Sequence, residues 1–234
     1  MNQPRYSKKF ELIITITLAL VAAMTTASAQ TGKRAWNLDQ DPVGKMPSGF
    51  TSALTGQGTI GQWSVLKDDS APSPPNVLAQ TSTDPTDYRF PLAIADDTKY
   101  KDLALSVKFK TISGKVDQGA GLVFRLKDKD NYYIVRANAI ENNVVLYKVE
   151  KGKRTELPLM GKGRTYGEKV KVPSGEWGTL RVVSKGDHFE TFLNGSKLFD
   201  VVDKTFPDAG KVGLWTKADS YTLFDDLTIS VPGK

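Results

Sequence analysis

Residues 119–139 read GAGLVFRLKDKDNYYIVRANA. Leu122, Phe124 and Leu126 alternate with Val123 and Arg125; after a charged break, Tyr133, Val135 and Ala137 alternate with Tyr132, Ile134, Arg136 and Asn138. Successive side chains of a strand point to opposite faces, so this period of two sends one set into a core and the other toward a groove or solvent. The break, Lys127-Asp128-Lys129-Asp130, is turn chemistry, because an aspartate carboxylate can bond its own backbone two residues on. The stretch is predicted as a β-hairpin with one apolar face. Its other face carries Arg125, Tyr132, Arg136 and Asn138.

Further strands are predicted on either side. Residues 102–112, DLALSVKFKTI, alternate most cleanly, with Leu103, Leu105, Val107 and Phe109 on one side and Ser106, Lys108 and Lys110 on the other. Downstream, Asn142-Asn143 marks a turn before a strand at 144–149, and Lys151-Gly152 turns into a partner at 154–157. A glycine-rich basic loop at 161–168 comes next. Strands at 177–184, 189–193 and 197–201 form a meander, whose Asn194-Gly195 pair accepts the positive φ of a tight hairpin. Strands at 211–217 and 222–231 close the chain. Upstream, short strands are expected at 36–39, 62–67, 76–80, 88–90 and 92–94, with 41–49 and the proline-rich 68–75 as surface loops, since proline cannot donate to a ladder. No run of ten residues beyond the first thirty has helical period. Many short strands without βαβ spacing predict an all-β, antiparallel two-sheet sandwich.

The chain has 234 residues, 39% of them hydrophobic, with four tryptophans. That is enough for one domain with a real core. Arg5, Lys8 and Lys9 precede an apolar run at 12–24 and the small-residue site Ala27-Ser28-Ala29. The run is shorter than the roughly twenty residues of a membrane span, so the pattern predicts a cleaved secretory signal over 1–29 and one domain over 30–234. The product is then secreted or periplasmic, with no membrane span after cleavage. Losing Arg5, Lys8, Lys9 and Glu11 takes the formal charge from +6 to +4. The bases are scattered rather than striped, which argues against a nucleic-acid partner. Without cysteine there is neither disulfide nor lipid acceptor, so stability rests on burial and ions.

The non-core hairpin face is the candidate ligand-binding surface. Aromatic faces pack on the apolar side of a sugar, and forked polar groups satisfy hydroxyls. Arg125 and Arg136 on neighbouring strands would repel unless a polar ligand or carboxylates lie between them. Trp215, Lys217 and Asp219, from GLWTKADS, join the set if the final strands run alongside the hairpin; core placement of Trp215 and sheet-face ion pairs for the arginines are the competing readings. Asp39-x-Asp41, Asp128-x-Asp130 and Asp225-Asp226 offer clustered carboxylates of the kind calcium requires, against a reading as turn caps. His188 is the only histidine. It sits beside a turn, and no G-x-S-x-G elbow or cysteine accompanies it, which disfavours a hydrolase triad and a zinc site.

Three blocks, GAGLVFRLKDKDNYYIVRANAIENNVVLYKVEKGKR, GEWGTLRVVSKGDHFETFLNGSKLFDV and AGKVGLWTKADSYTLFDDLTI, resemble the concanavalin A-like lectin/glucanase superfamily. Within it they are most similar to the bacterial laminin G-like branch labelled 3-keto-disaccharide hydrolase-like or family-16 glycoside-hydrolase-like. The likeness runs over residues 36–229. It implies a jelly roll of two curved sheets with a saccharide on the concave face, and a structural calcium held by Asp225 of Phe224-Asp225-Asp226 with Asp39 and Asp41. The E-x-D-x-x-E pattern of family-16 glucanases is absent, and the mature glutamates stand alone in the sequence, so no catalytic pair carries over. Three functions remain open: a carbohydrate-binding domain, a glycoside-cleaving enzyme, and an adhesion or scaffold module.

Overall fold

The structure, a computed structural model, describes residues 1, 32–36 and 38–231; the expected signal over 1–29 lies, apart from Met1, outside the described residues. Those residues form sixteen strands and no helix. In chain order the first eight are β1 (Lys33–Trp36), β2 (Phe50–Gly56), β3 (Trp63–Lys67), β4 (Asn76–Gln80), β5 (Arg89–Tyr100), β6 (Leu103–Ser113), β7 (Gly119–Asp128) and β8 (Asn131–Asn138). The rest are β9 (Asn143–Glu150), β10 (Lys153–Glu156), β11 (Glu168–Lys169), β12 (Gly178–Lys185), β13 (His188–Leu193), β14 (Ser196–Val202), β15 (Gly210–Trp215) and β16 (Tyr221–Ser230). Among the described residues no helix is long and apolar enough to cross a membrane.

The strands make two antiparallel sheets, a jelly-roll sandwich as expected. One runs β14-β13-β12-β6-β16-β4-β3 with β1 added against β16; the other runs β10-β9-β8-β7-β15-β5-β2 with β11 against β9. The predicted hairpin is β7 and β8, paired from Gly119↔Asn138 to Phe124↔Tyr133. Its core face sends Leu122, Phe124, Tyr133, Val135 and Ala137 between the sheets, where they meet Leu103, Leu105, Val107 and Phe109 of β6 and Phe189 of β13. Phe124 stacks on Tyr133 at 5.3 Å between ring centroids, and Phe189 meets both rings edge-on or tilted.

Three expectations about strands change. The first strand is Lys33–Trp36 rather than 36–39, and Leu38 to Asp41 make a turn closed by the Asp41 amide on the Leu38 carbonyl at 3.0 Å. Phe50–Gly56 is an edge strand along β5 that the pattern does not announce, because FTSALTG is mostly small and polar. Residues 89–100 form one strand through Pro91 rather than two short ones.

The second sheet is apolar on both faces. Its outer face holds a separate cluster of Phe90, Leu92, Ile94, Val123, Tyr132, Ile134, Val145, Tyr147, Val149 and Trp215. Strong curling makes this possible: β10 and β5 stand well apart in the strand order of the sheet, yet the Arg154 guanidinium of β10 lies 4.7 Å from the Phe90 ring of β5. The outer face is therefore the concave one, and it closes on itself.

Candidate functional site

The hairpin face expected to hold four polar groups together holds three. Arg125 leaves it. The ladder slips between Phe124 and Asp128, and Arg125 takes a φ of 48°. A bulge of this kind reverses the parity of the residues beyond it. Leu126 accordingly joins the concave cluster, and Arg125 turns to the inter-sheet rim, 5.2 Å from the Phe189 ring. There it donates to the carbonyls of Lys101 and Phe206, each at 3.0 Å, to Ser184 Oγ at 2.9 Å and to the Gly186 carbonyl, with Asp102 at 3.5 Å. It ties three loops together and is remote from the other three.

Tyr132, Arg136 and Asn138 stay on the concave face, all buried. The Tyr132 hydroxyl meets Thr55 Oγ1 of β2 at 2.9 Å, and burial pushes the phenol far up. Arg136 uses one nitrogen: Nη2 donates to Glu141 Oε2 at 2.9 Å and to Asn143 Oδ1 at 2.8 Å. Its Nε and Nη1 are buried with no partner. Asn138 joins two carboxylate residues, donating from Nδ2 to Asp117 Oδ1 at 2.8 Å while its Oδ1 accepts from the Glu141 amide at 2.9 Å.

Trp215 comes to the same place from β15, which pairs with β7, so the final strands do run alongside the hairpin. The indole belongs to the concave cluster, stacked on Phe90 with ring centroids 5.4 Å apart. Two glycines of β7 make its bed. A Cβ at Gly119 would stand 3.0 Å from Asp117 Oδ1 and 3.3 Å from the indole, and one at Gly121 would overlap Ile134. Arg154 lies above the ring set, its guanidinium 4.6 Å from Tyr147, 4.7 Å from Phe90 and 5.8 Å from Trp215, with Nη1 buried and unpartnered. At the rim stands Tyr166, exposed and with a φ of 55°, its ring 5.9 Å from the Arg136 guanidinium. An aromatic residue in the left-handed region is strained, and strain of this kind collects at functional sites.

Lys217 bridges Asp117 at 3.1 Å and Asp87 at 2.7 Å. The two inner carboxyls are driven apart. Burial pushes Asp117 up against the pull of Arg136 and Lys217; burial also acts on Glu141, but Arg136 and Asn143 outweigh it and hold that carboxyl low. Asp219 stands at the edge and serves the backbone. Its carboxylate accepts from the consecutive amides of Lys115, Val116 and Asp117 at 2.6, 3.0 and 3.0 Å, which fixes the turn that presents Asp117. Against burial, those amides hold Asp219 low.

Asp117, Glu141, Asn143 and Arg154 do not stand out in the sequence as site residues. Glu141 is an isolated glutamate there, and the ladder Asn138↔Asn143 folds it back over Arg136. The run YYIV at 132–135, with no polar residue on either face, is the signal that both faces of β8 are buried.

The acidic set separates. Asp39 Oδ1 accepts from the Asn76 amide at 3.3 Å, and Asp225 from the amides of Ser73 and Asp226 at 2.9 and 2.7 Å. Burial, with Asp226 and Asp39 near, pushes the Asp225 carboxyl up. Between them, Asn76 donates from Nδ2 to the Leu38 carbonyl at 3.0 Å and keeps its Oδ1 buried without a partner. The Asp41 carboxylate instead turns to the Ser48 amide at 2.9 Å, and Asp128 caps its own turn through the Asp130 amide at 2.8 Å. His188, Glu190 and Asp200 bring ligand atoms within 4.8 Å of one another, but Lys197 already answers both carboxylates, at 2.7 and 2.9 Å.

Residues 49–230 match the profile of the 3-keto-alpha-glucoside-1,2-lyase-like domain. No curated protein matches the chain. Among solved structures, the carbohydrate-binding module CBM66 from Bacillus subtilis aligns with a TM-score of 0.59 at 20% identity, over 78% of this chain and 96% of that one. The cellulose-induced protein Cip1 gives 0.58 at 15%, over 83% and 93%. Domain 4 of AbnA, a GH43 extracellular arabinanase from Geobacillus stearothermophilus in complex with arabinotriose, gives 0.52 at 14%, over 84% and 90%. At these identities the likeness is one of fold.

Proposed function

The chain belongs to the 3-keto-alpha-glucoside-1,2-lyase-like domain family, and from that premise we propose that it is an exported saccharide-recognising jelly roll whose ligand lies in the Arg136 groove of the concave face. One observation carries the reading: a fully buried guanidinium offers Nε and Nη1 to nothing in the protein, beside a bed of stacked aromatic rings. A buried donor left unanswered costs about 1–3 kcal/mol, more when charged, and a sugar's oxygens answer it. Two fold neighbours, a carbohydrate-binding module and a domain holding arabinotriose, agree with a saccharide ligand. Tyr166 stands exposed at the rim of the groove, and binding requires its side chain to swing aside.

The test is a broad glycan screen on protein recovered outside the cytoplasm, whose first residue is expected to be Gln30, scored for binding and for released product. Arg136→Met keeps the bulk and removes the donors. It is expected to weaken binding about tenfold or more, the loss of one charged hydrogen bond. An unchanged response in that variant removes the groove from the proposal.

A specific observation favours an enzymatic second reading. Asp117 is raised and Glu141 lowered within one hydrogen-bonded cluster, the division of labour between a general acid and a general base. Released product that disappears in both Asp117→Asn and Glu141→Gln would select the enzyme; binding without product would select the module.

A structural calcium is the third element of the proposal, held by Asp39, Asp225 and Asn76 Oδ1. The unpartnered, buried Oδ1 supports it, being a neutral oxygen ligand of the kind calcium takes beside carboxylates. Excess chelator is expected to lower Tm by about 5 °C or more, from the linkage of a saturated site. No shift in wild type, or the same shift in Asp39→Asn, ends this part.

A further inference from the structure

Three cations and three carboxylates balance in number in the groove, but one cation is left without an ion-pair partner. Lys217 is answered by Asp117 and Asp87, and Arg136 by Glu141. Arg154 has no carboxylate within ion-pair distance among the described residues. Its guanidinium rests on the faces of Phe90, Tyr147 and Trp215, and its Nη1 is buried without a hydrogen-bond acceptor. Ring faces attract a cation, but they supply no acceptor for its N–H groups. The hydrogen-bond inventory is lopsided in the same sense. Asp117 is committed to Asn138 and Lys217, Glu141 to Arg136 and Asn143, while Arg136 Nε and Nη1 and Arg154 Nη1 remain open. What is left over on the two guanidinium groups is donors, and Arg154 has no carboxylate in contact with it.

We propose that the ligand is an acidic saccharide, a sugar whose ring carries a carboxylate, seated with that carboxylate on Arg154 and with its other oxygens on the open nitrogens of Arg136. The inference rests on the groove being a saccharide site. A carboxylate brings acceptor lone pairs without a proton, matches a guanidinium fork, and gives Arg154 the ion-pair partner it lacks. A neutral sugar hydroxyl can accept from a guanidinium, but it leaves Arg154 without a carboxylate in contact.

The experiment compares oligomers of galacturonate, glucuronate and mannuronate with their methyl esters and with neutral gluco-oligosaccharides, by calorimetric titration of the full mature chain. The acid of at least one pair is expected to bind about tenfold or more tightly than its ester, and to lose that margin as salt is raised. Arg154→Gln is expected to erase the margin while residual ester binding persists, and Arg154→Lys to keep part of it. Arg154 is half-buried on a short edge strand, and thermal melts establish that both variants are folded. Esters or neutral oligomers that bind as tightly as the acids overturn the inference, as does a margin that survives Arg154→Gln. Neutral binding that is lost in Arg136→Met leaves the saccharide reading standing and sinks only the acidic one. No binding by any member of the panel sinks both.

Discussion

Two arginines eleven positions apart on one hairpin are both buried, and their surroundings differ in one respect. Around Arg125 the protein provides three carbonyls, a hydroxyl and a nearby carboxylate, so the guanidinium is answered on every side. Around Arg136 it provides a carboxylate and an amide oxygen to a single nitrogen and leaves the other two with nothing. A buried charge whose partners are complete is a structural rivet, since removing it strands those partners. One with partners missing costs the fold something, and persists where a ligand completes it. The Arg125 guanidinium is therefore architecture, although it borders an open cavity of about 410 Å³, and the unanswered nitrogens of Arg136 are the stronger sign of a missing ligand.

The largest effect expected from this contrast is at the rim. Arg125→Ala strands the carbonyls of Phe206 and Gly186, while Ser184 Oγ and the Lys101 carbonyl keep the 3.1 Å hydrogen bond between them, and is expected to cost about 3 kcal/mol or more in urea denaturation, with saccharide affinity of the folded protein unchanged. Arg125→Gly refines the measurement. The left-handed φ of 48° strains any residue with a Cβ by about 1–2 kcal/mol, so glycine is expected to recover about that much relative to alanine. A loss below about 1 kcal/mol for Arg125→Ala would make the two arginines alike and dissolve the comparison.

How far the sequence carries one toward this contrast depends on the residue. The alternation of Leu122, Phe124, Tyr133 and Val135 gave the sandwich, because period two is a backbone property that survives any packing. The same alternation put Arg125 with Arg136, and nothing in FRLKDKD announces a bulge; parity read through an inserted residue is wrong for everything beyond it. The groove was half legible. Tyr132, Arg136 and Asn138 share a face by counting alone, but Asp117, Glu141 and Arg154 reach it through turns and through a curl that brings β10 over β5, which no one-dimensional pattern contains. The acidic expectation divided for a similar reason: Asp39 and Asp41 alternate correctly for one side of a strand, but they lie in a turn, and their carboxylates diverge.

An intermediate effect is expected at Asp219, which is the anionic counterpart of Arg125 inside the groove wall. Three consecutive amides answer it, and its folded pKa lies below the ordinary aspartate value of 3.8. A lowered carboxyl contributes stability that is present above the unfolded pKa and lost as the pH falls through the folded one. Asp219→Asn is accordingly expected to cost about 1–2 kcal/mol at pH 7 and to approach wild type as the pH falls below the ordinary aspartate value of 3.8, in denaturant titrations run across that range. A cost that stays constant with pH would assign the effect to shape rather than charge. Because the same amides set the turn that presents Asp117, saccharide affinity is expected to fall along with stability, which separates this rivet from the one at the rim.

The smallest effect on stability is expected where the effect on function is largest. Arg136→Met removes one charged pair to Glu141, which is partly exposed and keeps Asn143 as a donor, and it also removes two buried nitrogens that nothing satisfied. Removing one partner of a fully buried pair costs about 3–5 kcal/mol, but Glu141 reaches solvent and the two unanswered nitrogens go with the arginine, so the contributions offset and the net change in unfolding free energy is expected to lie within about 1 kcal/mol of zero. The glycan screen and the denaturation curve of this one variant then move in opposite senses to those of Arg125→Ala: affinity without stability here, stability without affinity there. A loss of several kcal/mol in Arg136→Met would mean that the groove's guanidinium is held by the fold as tightly as the rim's, and that its open nitrogens are answered inside the protein in solution.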